Sequence, residues 1–137
     1  MSELALPKID NSILNRKIEI VKKLSKLTDK ENVLSEADEL RPYETDALSV
    51  YTQTPLAVVL PENTDEVSEI LKYCYSENIK VVPRGAGTGL SGGALPLQDA
   101  ILLGLGKFNK ILEIDYKNKC VVTQPGVTNL GITHAVQ

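Results

Sequence analysis

Five of the chain's nine glycines fall within one short segment, Pro83-Arg84-Gly85-Ala86-Gly87-Thr88-Gly89-Leu90-Ser91-Gly92-Gly93. Such a density of residues without a Cβ has a backbone purpose. Glycine accepts positive φ at no steric cost, so successive main-chain N–H groups can turn into one concavity. A concavity of that kind binds the oxygens of a phosphate or diphosphate. Thr88 and Ser91 add hydroxyl donors. Arg84 stands at the loop mouth, where it either positions the loop or offsets the charge of a bound anion. A flexible glycine linker is the competing explanation, but linkers seldom sit between two apolar strands or carry Leu90 and Arg84.

Gly87-x-Gly89-x-x-Gly92 also fits the spacing of the nicotinamide dinucleotide fingerprint. It follows an apolar run, and Glu113, roughly 20 residues on, stands near where that fingerprint places its ribose acid. The required context is missing. In that fold the third glycine opens a helix whose N-terminus holds the diphosphate. Here Gly93-Ala94-Leu95-Pro96-Leu97 leads into another strand, and Pro96 interrupts an early helix.

No second constellation competes with the loop. Cys74 and Cys120 stand far apart and His134 is the single histidine, so the clustered ligands of a metal site are lacking. Both thiols are expected to be buried or half-buried in a reducing cytosol. Tyr43, Glu44 and Asp46 invite an acid–base role, but Asp46 sits among turn formers and reads as a local cap. No residue can be assigned as catalytic. A formal net charge of -3 gives no general attraction to nucleic acid or anionic lipid. Arg16, Lys17, Lys22, Lys23 and Lys26 alternate with Ile18, Ile20, Val21 and Leu24, the pattern of the wet side of an amphipathic helix. No apolar run reaches the roughly 18 residues needed to span a bilayer, and Met1 to Asn11 lacks the apolar stretch of a secretory signal. The chain is therefore expected to be soluble and cytoplasmic, with membrane attachment only through a partner.

The elements that must position the loop follow from hydrophobic periodicity. At 137 residues the chain suffices for one core. Asn11-Ser12 can cap a helix with apolar positions Leu14, Ile18, Val21 and Leu24, ending near Thr28. A second helical turn covers Glu31 to Ser35, and Ala37 to Pro55 reads as an irregular, extended lead-in. Leu56 to Leu60 is a continuous apolar run, the mark of a strand buried on both faces, and Pro61 stops it. Asn63 or Thr64 caps a helix from Asp65 to Ser76 whose inner face is Val67, Ile70, Leu71 and Cys74. Ile79 to Pro83 is the next strand, completing a unit of parallel-crossover size. After the loop come strands Ala100 to Leu105 and Ile111 to Asp115. A turn in which Asn118 tolerates a left-handed backbone precedes the antiparallel return, Lys119 to Thr123. Pro125-Gly126 breaks the chain, and Asn129 to Val136 begins a helix. The fold class is α+β: a small mixed sheet covered by helices.

The loop sequence with the Ala94-Leu95-Pro96 that follows resembles the diphosphate loop of the vanillyl-alcohol oxidase and p-cresol methylhydroxylase flavoprotein superfamily. The similarity is greatest to the branch of FAD-linked glycolate oxidase subunits and D-lactate dehydrogenases. Arg41-Pro42-Tyr43-Glu44-Thr45-Asp46-Ala47-Leu48 resembles that branch's lead-in, Pro55 to Pro61 its first strand, and Gln124-Pro125-Gly126-Val127 with Asn129-Leu130 its segment after the hairpin. The resemblance divides the chain into an N-terminal helical segment, 1–37, and the first part of an FAD-binding domain, 38–137, cut before a second subdomain. It implies that the FAD diphosphate lies on Arg84 to Gly93, reached through Pro83, with Pro125 and Gly126 lining a neighbouring wall. Some members of the superfamily bond the flavin covalently through a loop histidine. Thr88 stands near that position, so the resemblance implies non-covalent FAD; His134 falls outside the loop, on the final helix.

By the same resemblance the complete protein oxidises a small 2-hydroxy acid, glycolate or D-lactate, and passes electrons to an iron–sulfur partner subunit or a quinone-linked chain. The groups that bind substrate belong to parts this chain lacks, so it would anchor cofactor and be inactive alone. Two other readings stand beside this one: a non-catalytic nucleotide-binding module, and an inactive remnant of a split gene with an exposed apolar face.

Overall fold

A strand with no polar face must be covered on both sides. The computed structural model, which describes residues 7–137, places the apolar run in that position. Ala57–Val59 forms β2, buried at every residue. It lies inside a four-stranded sheet of order β1-β2-β4-β3, where β1 is Val33–Leu34, β3 is Lys80–Arg84 and β4 is Ala100–Gly104. β1 pairs antiparallel with β2, whereas β2–β4 and β4–β3 are parallel. The crossover helix α4 (Thr64–Ser76), capped by Asn63 through a bond from Glu66 N, carries the chain from β2 past a gap one strand wide. β4 fills that gap.

Alternation along the strands divides the core into two layers. Ala57, Val59, Ile101 and Leu103 face Ile13, Ile20 and Leu24 of the N-terminal helices and Ile70 and Cys74 of α4. Val58, Leu102, Ala100 and Val82 face the other way, against Leu40, with Tyr43, Leu60 and Leu97 packed on them. The lead-in is therefore a core element. It contains a helix α3 (Ala37–Leu40), closed by reciprocal Glu36–Glu39 capping, and a 3-10 turn over Arg41–Tyr43. Its polar sequence hid this because few of its apolar residues, Leu40 and Tyr43 foremost, pack onto the sheet.

Other expectations are corrected locally. The first helix is broken at Arg16 into α1 (Asn11–Asn15) and α2 (Lys17–Leu24). Its cap is Asp10, which accepts from both N and Oγ of Ser12. Ile18 is 86% exposed, since it lies about 200° around the helix from buried Ile20. Leu71 likewise leaves the buried face of α4 at 43% exposure. In place of a helical turn over Glu31 to Ser35, a 3-10 turn, Lys30–Asn32, leads into β1. β5 (Ile111–Asp115) and β6 (Cys120–Thr123) form a separate two-stranded sheet. Its turn puts Lys119 at φ 54, while Asn118 bonds Asp115. Cys74 is buried but Cys120 is exposed, because an outward position on a half-covered hairpin leaves it in water. The final helix, α5, spans Asn129–Ala135 behind a Thr128 cap. Most of the leader question at Met1 to Asn11 falls outside the described residues. Among those described, no helix is long and apolar enough to cross a membrane.

Candidate functional site

In open parallel sheets, ligands bind beyond the carboxyl ends of the strands. β3 ends at Arg84, and the glycine segment begins there. Leu105 N donates to the Arg84 carbonyl at 2.8 Å, tying the end of β4 to the start of the loop. From Gly85 to Asp99 no helix forms, so the nicotinamide fingerprint lacks its helix in the structure as well.

Two glycines bend the loop through left-handed backbone, Gly87 at φ 72 and Gly92 at φ 73. Each bend rests on a side chain. A Cβ at Gly87 would sit 3.6 Å from Arg84 Cδ, and one at Gly92 would sit 3.7 Å from Leu48 Cδ2. Gly89 and Gly93 face open space, with nothing within 4 Å of a Cβ. Thr88, Leu90 and Ser91 are exposed at the tip. Among the described residues, none of the backbone N–H groups from Ala86 to Gly93 donates to a protein acceptor. A groove of about 360 Å³ adjoins the loop, lined by Leu48, Tyr51, Val81, Ser91, Gly92 and Leu95 among others.

Pro125 is brought against the start of the loop, and Gly126 against the segment that follows β4. A Cβ on Gly85 would collide with the Pro125 carbonyl oxygen, and one on Gly126 would lie 2.6 Å from Leu105 O and 2.8 Å from Phe108 O. Gly126 N donates to Phe108 O at 2.8 Å. Glycine is required at both points by close approach of backbone to backbone.

Arg84 is only 9% exposed. Its Nη2 donates to Ala94 O at 2.7 Å and to Tyr43 O at 3.2 Å. Burial lowers its pKa, and the nearby charge of Asp46 works in the opposite direction. Asp46 is itself buried; Oδ1 accepts from Leu48 N at 2.9 Å, as a local turn requires. Glu44 accepts from Thr54 Oγ1 at 2.9 Å. His134 is exposed on α5, outside the loop. Sequence reasoning missed Leu48 and Tyr43 as supports of the loop. The one available signal was Arg84, a lone cation placed between an apolar strand and the glycines.

The arrangement fits a diphosphate. Among the described residues the N–H groups of the bent glycine loop have no protein acceptor, a Cβ at Gly89 or Gly93 would meet open space, and Thr88 and Ser91 bring two exposed hydroxyls. Comparison with known proteins agrees with that chemistry. Residues 55–137 match the family described as FAD binding domain, and the chain belongs to that family. It is 48% identical over 104 residues to the glycolate oxidase subunit GlcD of Escherichia coli K12, covering 76% of this chain and 21% of that protein. It is 39% identical over 95 residues to the mitochondrial D-2-hydroxyglutarate dehydrogenase of Arabidopsis thaliana, covering 69% of this chain and 17% of that protein. Among solved structures, p-cresol methylhydroxylase with substrate bound superposes at a TM-score of 0.76 and 28% identity, over 94% of this chain and 25% of that one. The chain thus spans about a fifth of the length of the curated relatives it matches.

Proposed function

We propose that Pro83 to Gly93 holds the diphosphate of FAD and that Pro125 and Gly126 form the adjoining wall. The observation carrying this reading is the run of N–H groups from Ala86 to Gly93 that have no protein acceptor among the described residues, set at the carboxyl end of β3 in a chain of the FAD binding domain family. Main-chain donors in such a nest offset diphosphate charge without a buried cation, and Thr88 and Ser91 extend the set. Thr88 offers no ring nitrogen for a flavin bond, so the cofactor is held non-covalently.

The complete protein, in this reading, is a flavin-dependent oxidoreductase converting a small 2-hydroxy acid such as glycolate or D-lactate to the 2-oxo acid. The bound flavin supplies a two-electron acceptor for the hydride while the hydroxyl proton leaves to a base. This chain contributes anchoring and orientation of the cofactor; the base and the substrate pocket lie elsewhere in the complete protein. Electrons then pass to a partner subunit carrying iron–sulfur clusters or to a quinone-linked acceptor, which places the protein in the cytoplasm or, through that partner, at the inner membrane.

The test is equilibrium titration of the purified protein with FAD, followed by flavin fluorescence, with riboflavin as the control that lacks the diphosphate. Binding of FAD without binding of riboflavin supports the loop assignment; equal affinity for both removes it.

A further inference from the structure

Two buried polar atoms beside the loop have no hydrogen-bond partner among the described residues: Arg84 Nε and Asp46 Oδ2. They belong to side chains of opposite charge, 9% and 8% exposed. Their surroundings explain why both are kept. The guanidinium joins the two ends of the loop, its own β3 position and Ala94, to the lead-in at Tyr43, and its Cδ underlies Gly87. The Asp46 turn presents Leu48, whose Cδ2 underlies Gly92. Each left-handed bend of the loop therefore rests on one member of this pair or on the turn that member makes. In a low-dielectric layer a lone guanidinium is costly, and a carboxylate nearby recovers part of that cost even without direct contact.

We propose that Asp46 and Arg84 act together as positioning residues. Asp46 holds the buried guanidinium as its counter-charge, and Arg84 fixes the loop's curvature without touching the diphosphate. Arg84 spends Nη2 on the backbone carbonyls of Tyr43 and Ala94, which ties the guanidinium to the end of the loop and to the lead-in. The lead-in thereby becomes the platform on which the nest is shaped. This inference rests on the diphosphate reading only for its consequence in FAD affinity; its consequence for loop order is independent.

The decisive variant is Asp46→Asn, which retains an acceptor for Leu48 N and removes only the charge. Chymotryptic cleavage at Leu90, the exposed apolar residue at the loop tip, reads loop order without cofactor. FAD affinity at several salt concentrations reads the consequence. Asp46→Asn and Arg84→Met are each expected to raise cleavage and weaken FAD about tenfold, equivalent to about 1.4 kcal/mol. The double variant should be no worse than the poorer single one, and the salt dependence of binding should keep its slope. Should Arg84→Met fail to fold, Arg84→Gln, which removes the charge and keeps a hydrogen-bond donor for the two carbonyls, takes its place. Additive losses, or cleavage as slow as in the parent, overturn the coupling. A flatter salt slope in the Arg84 variant overturns the positioning role, because it marks a lost phosphate contact. A parent protein that fails to bind FAD removes the function proposed above, while the cleavage rates still decide the pair.

Discussion

The carbonyl oxygen of Pro125 lies so close over the α-carbon of Gly85 that no side chain fits between them. The segment after the hairpin is thus keyed directly to the start of the glycine loop. Gly126 repeats the arrangement against the carbonyls of Leu105, Phe108 and Gly106.

Alanine at either point must push backbone aside. Gly85→Ala and Gly126→Ala are each expected to lower stability by about 1–3 kcal/mol, the usual cost of overpacking, seen as a lower urea midpoint. Gly106→Ala, which meets nothing within 4 Å, is the internal control and should change the midpoint little.

Valine substitutions within the loop should separate folding from binding. Gly89 has ordinary φ and open space around it, so Gly89→Val should fold normally and lose FAD by occupying the ligand's volume. Gly87→Val is strained by the φ of 72 whatever the space, at a cost of about 1–3 kcal/mol, and should lose both stability and flavin. Comparing melting temperature with flavin content checks this; a fully flavinated Gly89→Val protein contradicts the diphosphate assignment.

Acid should loosen the N-terminal arm. Buried Asp99 accepts from Lys80 Nζ at 2.6 Å and from Asp10 N at 2.7 Å, and Lys80 also reaches Lys8 O. Burial by itself raises the Asp99 pKa, but the Lys80 bond and the Asp10 N–H outweigh it, and the net shift is below the ordinary 3.8. A carboxylate depressed in the folded state stabilises fully above its unfolded value, and that stabilisation is lost as pH falls through the folded value. Stability should therefore be flat near neutrality and fall below about pH 4. Asp99→Asn should cost about 1–3 kcal/mol at pH 7 and show a shallower acid slope, measured by urea unfolding across pH.

The two thiols should react very differently. Burial pushes the Cys74 thiol up to about 11, whereas Cys120 is exposed on β6. Since the thiolate is the nucleophile, a maleimide at pH 7.5 should modify Cys120 alone in the folded protein. Mass spectrometry of the labelled peptides reads this, and rapid labelling of Cys74 would contradict the packing of α4.

Precipitation of the holoprotein with acid should release all flavin to the supernatant, since Thr88 cannot form the bond a histidine forms. Yellow colour retained in the pellet would reverse that reading.

Elements built on continuous apolar runs or on helical spacing were mostly legible from local pattern. Leu56 to Leu60, the Asn63 cap, Ile70 with Cys74 and the β5–β6 hairpin all declare themselves through local pattern. The glycine cluster pointed to phosphate chemistry because few other uses demand so many residues without Cβ. What stayed hidden was non-local. Nothing near Leu40 or Tyr43 indicates that they cover Val58 and Leu102, and nothing near Pro125 indicates that its carbonyl meets Gly85. Ile18 misled because the buried face of α2 runs through Ile20 and Leu24, and Ile18 lies on the other side of the same helix.

The strand order carries a consequence for how the molecule is assembled. β2 and β3 are joined by α4 yet do not pair, because β4 lies between them. Closing the sheet must wait for a strand that comes later in the chain, at residues 100–104. Until then β3 lacks its ladder and the loop lacks its second anchor, the bond from Leu105 to Arg84. Parallel pairings between distant segments form slowly because their loop-closure entropy must be overcome first. During synthesis the loop therefore takes its shape only after residues 100–105 have joined the sheet.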